Sequence, residues 1–121
     1  MRVPILTSDI DAAIARYEAL TGEVVRERFE LPNGRVQIAI LGSLTIIAGT
    51  SPEIGVLREV RATLIVDSLA EFEAHLRAAG ATMLQRPART PAGTNMIVRD
   101  VDGTVLELVE PHPEERPHAA H

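Results

Sequence analysis

The chain predicts an α+β fold built from two βαβββ modules in tandem. Three observations carry this reading. An order of strand, helix and three strands runs twice through 121 residues. Each helix opens on a Ser/Asp capping pair and stops at a glycine, Gly22 or Gly80. The chain closes on Asp100-Val101-Asp102-Gly103, followed by the alternating strand Thr104 to Val109.

Val3 to Leu6 is a short apolar run with strand character. Ser8-Asp9-Ile10-Asp11 is a helix start with Ser8 or Asp9 as the cap. Ile10, Ala13, Ile14, Tyr17 and Leu20 then recur at helical spacing and predict one apolar face. Gly22 suits the left-handed stop that ends a helix. Glu23 to Leu31 alternates loosely as a half-buried strand, and Pro32-Asn33-Gly34 predicts a hairpin turn into Val36 to Leu41. After Gly42-Ser43, Leu44 to Ala48 is a fourth strand. Gly49 to Gly55 reads as a connector.

The order then repeats. Val60 to Val66 predicts a strand, and Asp67-Ser68 caps a helix with Glu71 placed for a capping box. Leu69, Phe72, Leu76 and Ala79 mark its apolar face, and Gly80 stops it. Thr82 to Arg86 predicts a strand, Pro87 to Gly93 a loop, and Thr94 to Arg99 with Thr104 to Val109 a hairpin. Sliding the chain by 59 positions lays Arg2 on Arg61, Ile5 on Leu64, Ile10 on Leu69, Ala13 on Phe72 and Tyr17 on Leu76. This is a repeat of residue type and spacing rather than of identity. Module one is expected over 1–49, a linker over 50–58 and module two over 59–111. The segment 112–121, beginning His112-Pro113-Glu114, is expected to be a disordered tail.

Composition excludes several classes. The net charge is -5 with both signs spread along the chain, against the concentrated basic face that nucleic acid needs. No apolar run reaches the length of a membrane span, and the first residues lack a signal-peptide pattern. A cytoplasmic location is expected, and the zero cysteines agree with it while excluding disulfides and thiolate metal sites. Aromatic residues are few, namely Tyr17, Phe29 and Phe72, so a pocket for stacked flat ligands is disfavoured. No Ser/His/Asp or phosphate-loop spacing occurs. Asp100 and Asp102 belong to a tight turn, where aspartate supports the backbone. His75 falls at the edge of the second helix, and His112, His118 and His121 match no ligand spacing.

The doubled module ending in Asp-x-Asp-Gly-x-x-x-Glu-Leu resembles the glyoxalase / bleomycin-resistance / extradiol-dioxygenase family, also called the vicinal oxygen chelate superfamily. The matching segments are Ser8-Asp9-Ile10-Asp11 with Tyr17-Glu18-Ala19-Leu20 and Gly22, Val66-Asp67-Ser68-Leu69 with Leu76-Arg77-Ala78-Ala79-Gly80-Ala81, and Asp100-Val101-Asp102-Gly103 with Leu106-Glu107-Leu108. Together they span roughly residues 2 to 111, as expected of a full-length domain. Val101 departs from the proline often found at that position. The resemblance implies a single glyoxalase-like domain whose two sheets form a cup-shaped half-barrel around a small ligand. In metal-dependent members it implies four ligating side chains, two on first strands and two on last strands.

Mapped onto this chain, the first-strand positions are Arg2 and Arg61, and the second-module last-strand position is Glu107. The first-module counterpart is Ile46 or Ile47. A guanidinium carries donors only and cannot ligate a cation, so no metal and no other cofactor is expected. Arg2, Arg61 and Glu107 are the candidate ligand-binding residues, with a surplus of positive charge that an anionic ligand could use. Alternation sets Glu107 on the face opposite Leu106 and Leu108. Both arginines also read as solvated surface residues, and Glu107 as a structural salt-bridge partner rather than a catalytic base. The expected function is metal-independent binding or sequestration of a small molecule. The alternatives are a metal-free lyase, isomerase or cyclase, then a metal-dependent glyoxalase or dioxygenase. No catalytic residue is assigned. The exposed sheet edges of open modules predict a homodimer.

Overall fold

The computed structural model describes residues 1–31, 34–50 and 54–113. The chain divides into two compact units between Thr63 and Leu64. The first contains β1 (Val3–Thr7), α1 (Ile10–Thr21), β2 (Glu27–Glu30), β3 (Gln37–Leu41) and β4 (Leu44–Ala48). Its sheet order is β1-β4-β3-β2. β1 runs parallel to β4, while β3 is antiparallel to β4 and β2.

Local chemistry sets the ends of α1. Asp9 is the cap, its Oδ1 accepting from the Ala12 N–H at 3.1 Å, which satisfies one of the donors a helix start leaves open. Gly22 ends the helix in the left-handed region at φ 76°, a conformation that costs a side-chain-bearing residue more. Ile10 and Ala13, with Ile14 and Tyr17, pack onto Ile5, Ala39, Ile46 and Ala48. Leu20, predicted on this face, is 75% exposed. At about 100° per residue it falls roughly 80° round the helix from Ile10, on the flank of the last turn. The predicted hairpin turn lies partly outside the described residues, at Pro32 and Asn33, and the strand before it is confined to Glu27–Glu30.

A short 3-10 helix, Gly55–Glu59, occupies part of the expected linker. Beyond it come β5 (Ala62–Ile65), α2 (Leu69–Ala78), β6 (Thr82–Thr90), β7 (Gly93–Arg99) and β8 (Val105–Glu110). The second sheet has the order β5-β8-β7-β6. Ser68 caps α2, its Oγ accepting from the Glu71 N–H at 3.3 Å. Glu110 of β8 takes the next amide, its Oε1 accepting from the Leu69 N–H at 2.9 Å. Leu69, with Leu76, packs on Val66, Met96, Val98 and Leu108. Phe72 is 37% exposed and Ala79 is exposed, because both project from one flank of the helix rather than its centre.

Two further differences concern β6 and the chain beyond β8. The predicted loop from Pro87 is instead the second half of a nine-residue strand. Proline is tolerated there because β6 is an edge strand, where one side needs no ladder donor. His112, expected in the tail, is 8% exposed, and its ring Nε2 lies 2.7 Å from the Thr90 carbonyl oxygen. Residues 114–121 lie outside the described part. Among the described residues no helix is long and apolar enough to cross a membrane.

The closing turn behaves as its sequence requires. Asp100 Oδ1 accepts from the N–H groups of Asp102 at 2.9 Å and Thr104 at 3.0 Å. Gly103 supplies the positive φ, 94°, that reverses the chain.

Candidate functional site

Each sheet turns one face to its helix, and Glu107 sorts onto the other face of the second sheet. In the first module, Ile5 pairs with Ile46 and Ala39 with Ile46, and all three pack with α1. Period-two alternation then puts Pro4, Thr45, Ile47, Ile38, Ile40, Glu27 and Phe29 on the opposite face, at mutually paired positions. Ile46 therefore belongs to the core, and Ile47 is the first-module counterpart of Glu107.

Arg2, one alternation before Pro4, is 9% exposed. Its backbone is fixed by Thr63: the Arg2 N–H donates to the Thr63 carbonyl at 2.8 Å and the Thr63 N–H to the Arg2 carbonyl at 2.7 Å. Arg61 is exposed and lies just ahead of β5. The residue directly across from Arg2 is thus Thr63, buried at 1% exposure, two positions beyond the arginine that the repeat aligns with it. Thr45 is also buried, at 6% exposure, and its Oγ1 has no hydrogen-bond partner among the described residues.

In the second module, Met96, Val98, Leu106 and Leu108 pack with α2. The pairing of Ile97 with Glu107 and of Asn95 with Val109 puts these four on the opposite face. Glu107 is half-buried there. Asn95 Nδ2 donates to Glu107 Oε2 at 2.8 Å, and Gln85 Nε2 donates to Asn95 Oδ1 at 2.9 Å. The result is a polar chain across three adjacent strands, β6, β7 and β8, set among Ile97, Val105 and Val109. Ile97, Val105, Val109 and Asn95 are buried, and the hydrogen bonds satisfy the Asn95 amide among them.

The positions that the family resemblance assigns to a metal do not suit one. Arg2 and Arg61 carry donors only, Ile47 carries none of the required lone pairs, and one Glu107 oxygen is taken by Asn95. Among the described residues no group of three or more His, Cys, Asp or Glu side chains could hold a metal ion.

Asn95, Gln85 and Thr45 were not singled out by the sequence. Asn95 had a usable signal: an amide inside Met96-Ile97-Val98, at the alternate position to the core residues, is poorly matched to a strand unless its side chain finds partners. Gln85 had none, for reasons given below.

No protein-family model and no curated protein matches the chain. Solved structures do. An uncharacterized protein from Methanosarcina mazei is 34% identical with a TM-score of 0.85, over 97% of this chain and 95% of that one. Methylmalonyl-CoA epimerase from Mycobacterium tuberculosis is 20% identical with a TM-score of 0.79, over 93% and 87%. A Streptomyces coelicolor methylmalonyl-CoA epimerase in complex with 2-nitronate-propionyl-CoA is 21% identical with a TM-score of 0.75, over 96% of each chain.

Proposed function

We propose that the chain, which shares its fold with the methylmalonyl-CoA epimerases above, is a member of the glyoxalase / bleomycin-resistance / extradiol-dioxygenase superfamily and binds a small molecule bearing an anionic group without the help of a divalent metal. The observation that carries this reading is the buried Arg2, held by two backbone hydrogen bonds at the first-strand position that metal-dependent members give to a metal ligand. A guanidinium is a rigid fork of donors that matches carboxylate or phosphate. On the same sheet face Ile38, Ile40 and Ile47 are buried, and the half-buried Phe29 beside them is apolar surface for the body of such a ligand. Arg61 is a second cation that can serve the same anion.

The test is calorimetric titration of chelator-treated protein with small carboxylates, phosphate esters and CoA thioesters of short acids. The last are included because the epimerases of like fold are seen with acyl-CoA compounds. Binding that survives chelation and weakens at least tenfold in Arg61→Ala or Arg2→Gln supports the reading. Binding that requires an added divalent ion refutes it.

A second reading, an enzyme that shifts a proton beside a carbonyl, is favoured by one observation. Glu107 is a half-buried carboxylate with one oxygen fixed by Asn95, as a positioned base requires. Exchange of a substrate C–H with deuterated solvent tests it. The reading further includes a homodimer in the cytoplasm. Val3 and Leu6 on the edge strand β1 and Ile65 on the edge strand β5 are exposed apolar side chains that a second copy would cover. Light scattering at two concentrations checks the dimer.

A further inference from the structure

We propose that the outer half of β6 is built to keep a second copy of this protein from adding a strand to that edge. The inference concerns the second sheet alone and is independent of any ligand. It goes beyond the homodimer reading, because it names the edge that a second copy does not use.

β6 is where such pairing would otherwise be expected. It is an edge strand of the sheet β5-β8-β7-β6 and, at nine residues, the longest described strand. An edge strand turns a row of unpaired N–H and C=O groups to solvent, a template for another chain. Arg86, Pro87, Ala88 and Arg89 are all exposed, so this stretch is open to an incoming strand.

Three features gathered in that stretch oppose one. The first is backbone geometry. Met83 pairs with Val98 and Gln85 with Ile97, then Ala88 with Asn95, so β6 gains an extra residue over β7 twice. The first bulge turns Gln85 away from the α2 side, where Met83 packs. The second falls on Arg86 and Pro87. Bulges bend the strand and raise its twist, so a straight partner cannot follow it. The second feature is Pro87, which has no N–H to give to a ladder. The third is charge. Arg86 and Arg89 make no ion pair among the described residues. Two β6 strands related by a twofold axis between Pro87 and Ala88 would set Arg86 of each copy against Arg89 of the other. Like charges directly opposite destabilise such a pair, and both would lose hydration. β5, the other edge of the same sheet, carries no proline and no charged residue over Ala62–Ile65. The obstacles to pairing are thus concentrated on one edge, and copies that associate are directed away from β6.

The experiment compares the full chain with Arg86→Thr/Pro87→Val/Arg89→Thr by sedimentation velocity at two concentrations about a hundredfold apart, with amide hydrogen exchange at the higher one. Wild type should form no species larger than a dimer, and its β6 amides from Arg86 to Thr90 should gain no protection with concentration. The triple variant should form larger species as concentration rises, with new protection in that stretch. A triple variant of wild-type size at both concentrations overturns the inference. So do larger species without new protection in β6, and a wild type whose own association protects β6. A wild type that stays monomeric beside an assembling variant sinks the homodimer reading and leaves this inference standing. Where the triple variant loses its native circular dichroism, Arg86→Thr/Arg89→Thr, which keeps Pro87, decides. It should assemble in the same sense but less, and wild-type behaviour from it overturns the inference.

Discussion

Arg2 and Thr63 exchange both of their backbone hydrogen bonds, at 2.8 Å and 2.7 Å, as an isolated antiparallel pair. Arg2 thereby has both backbone partners that a residue inside a strand would have. A fraying terminus would expose its amide to solvent within each local opening. The Arg2 and Thr63 amides should therefore show slow hydrogen exchange, comparable with β4. Arg2→Pro, which deletes the donor, should cost about 1 to 3 kcal/mol, read as a lower urea midpoint.

Asn95 is 8% exposed and bonds to both Gln85 and Glu107. Removing it leaves a half-buried carboxylate and an amide each short of one partner. Asn95→Leu should lower stability by about 1 to 3 kcal/mol, and Gln85→Leu, at the end of the chain of bonds, by less. Chemical denaturation of the two variants checks the ranking.

The Thr45 hydroxyl is buried and has no hydrogen-bond partner among the described residues. Its desolvation is uncompensated, so an isosteric methyl should be preferred. Thr45→Val should raise stability by about 1 kcal/mol, seen as a higher thermal midpoint. A lower midpoint would mean that the hydroxyl is satisfied in solution.

Gly93 opens β7 at φ 141°, and a Cβ there would run into the Glu110 carbonyl and the Pro111 backbone. Backbone on two sides cannot give way as a flexible side chain can. Gly93→Ala should cost about 2 to 4 kcal/mol. Gly22→Ala, with open space around its Cβ but a left-handed φ, should cost about 1 kcal/mol. Paired denaturation curves separate the two.

Much of this architecture was legible from residue pattern. Asp9, Ser68, Gly22 and the Asp100–Gly103 turn each encode a local hydrogen-bonding need, and each is met where the sequence placed it. Alternation alone put Glu107 opposite Leu106 and Leu108. What escaped was set by pairing between strands. A bulge leaves no mark in composition, so Gln85 read as an ordinary strand residue and Pro87 as the end of its strand. Nor could the repeat show that Arg2 pairs with Thr63, because a repeat aligns equivalent residues and not those that hydrogen-bond. Leu20 and Phe72 were assigned to buried faces by spacing, although spacing cannot tell the centre of a stripe from its flank.

Anion recognition by Arg2 in place of a metal is most directly tested by one titration. Chelator-treated protein is titrated with a short-chain acyl-CoA or small carboxylate, alongside Arg2→Gln, with and without added magnesium or zinc. Saturable binding that ignores the added ion and weakens at least tenfold in the variant is the predicted result. Binding that appears only with the metal, and that Arg2→Gln leaves unchanged, would contradict it.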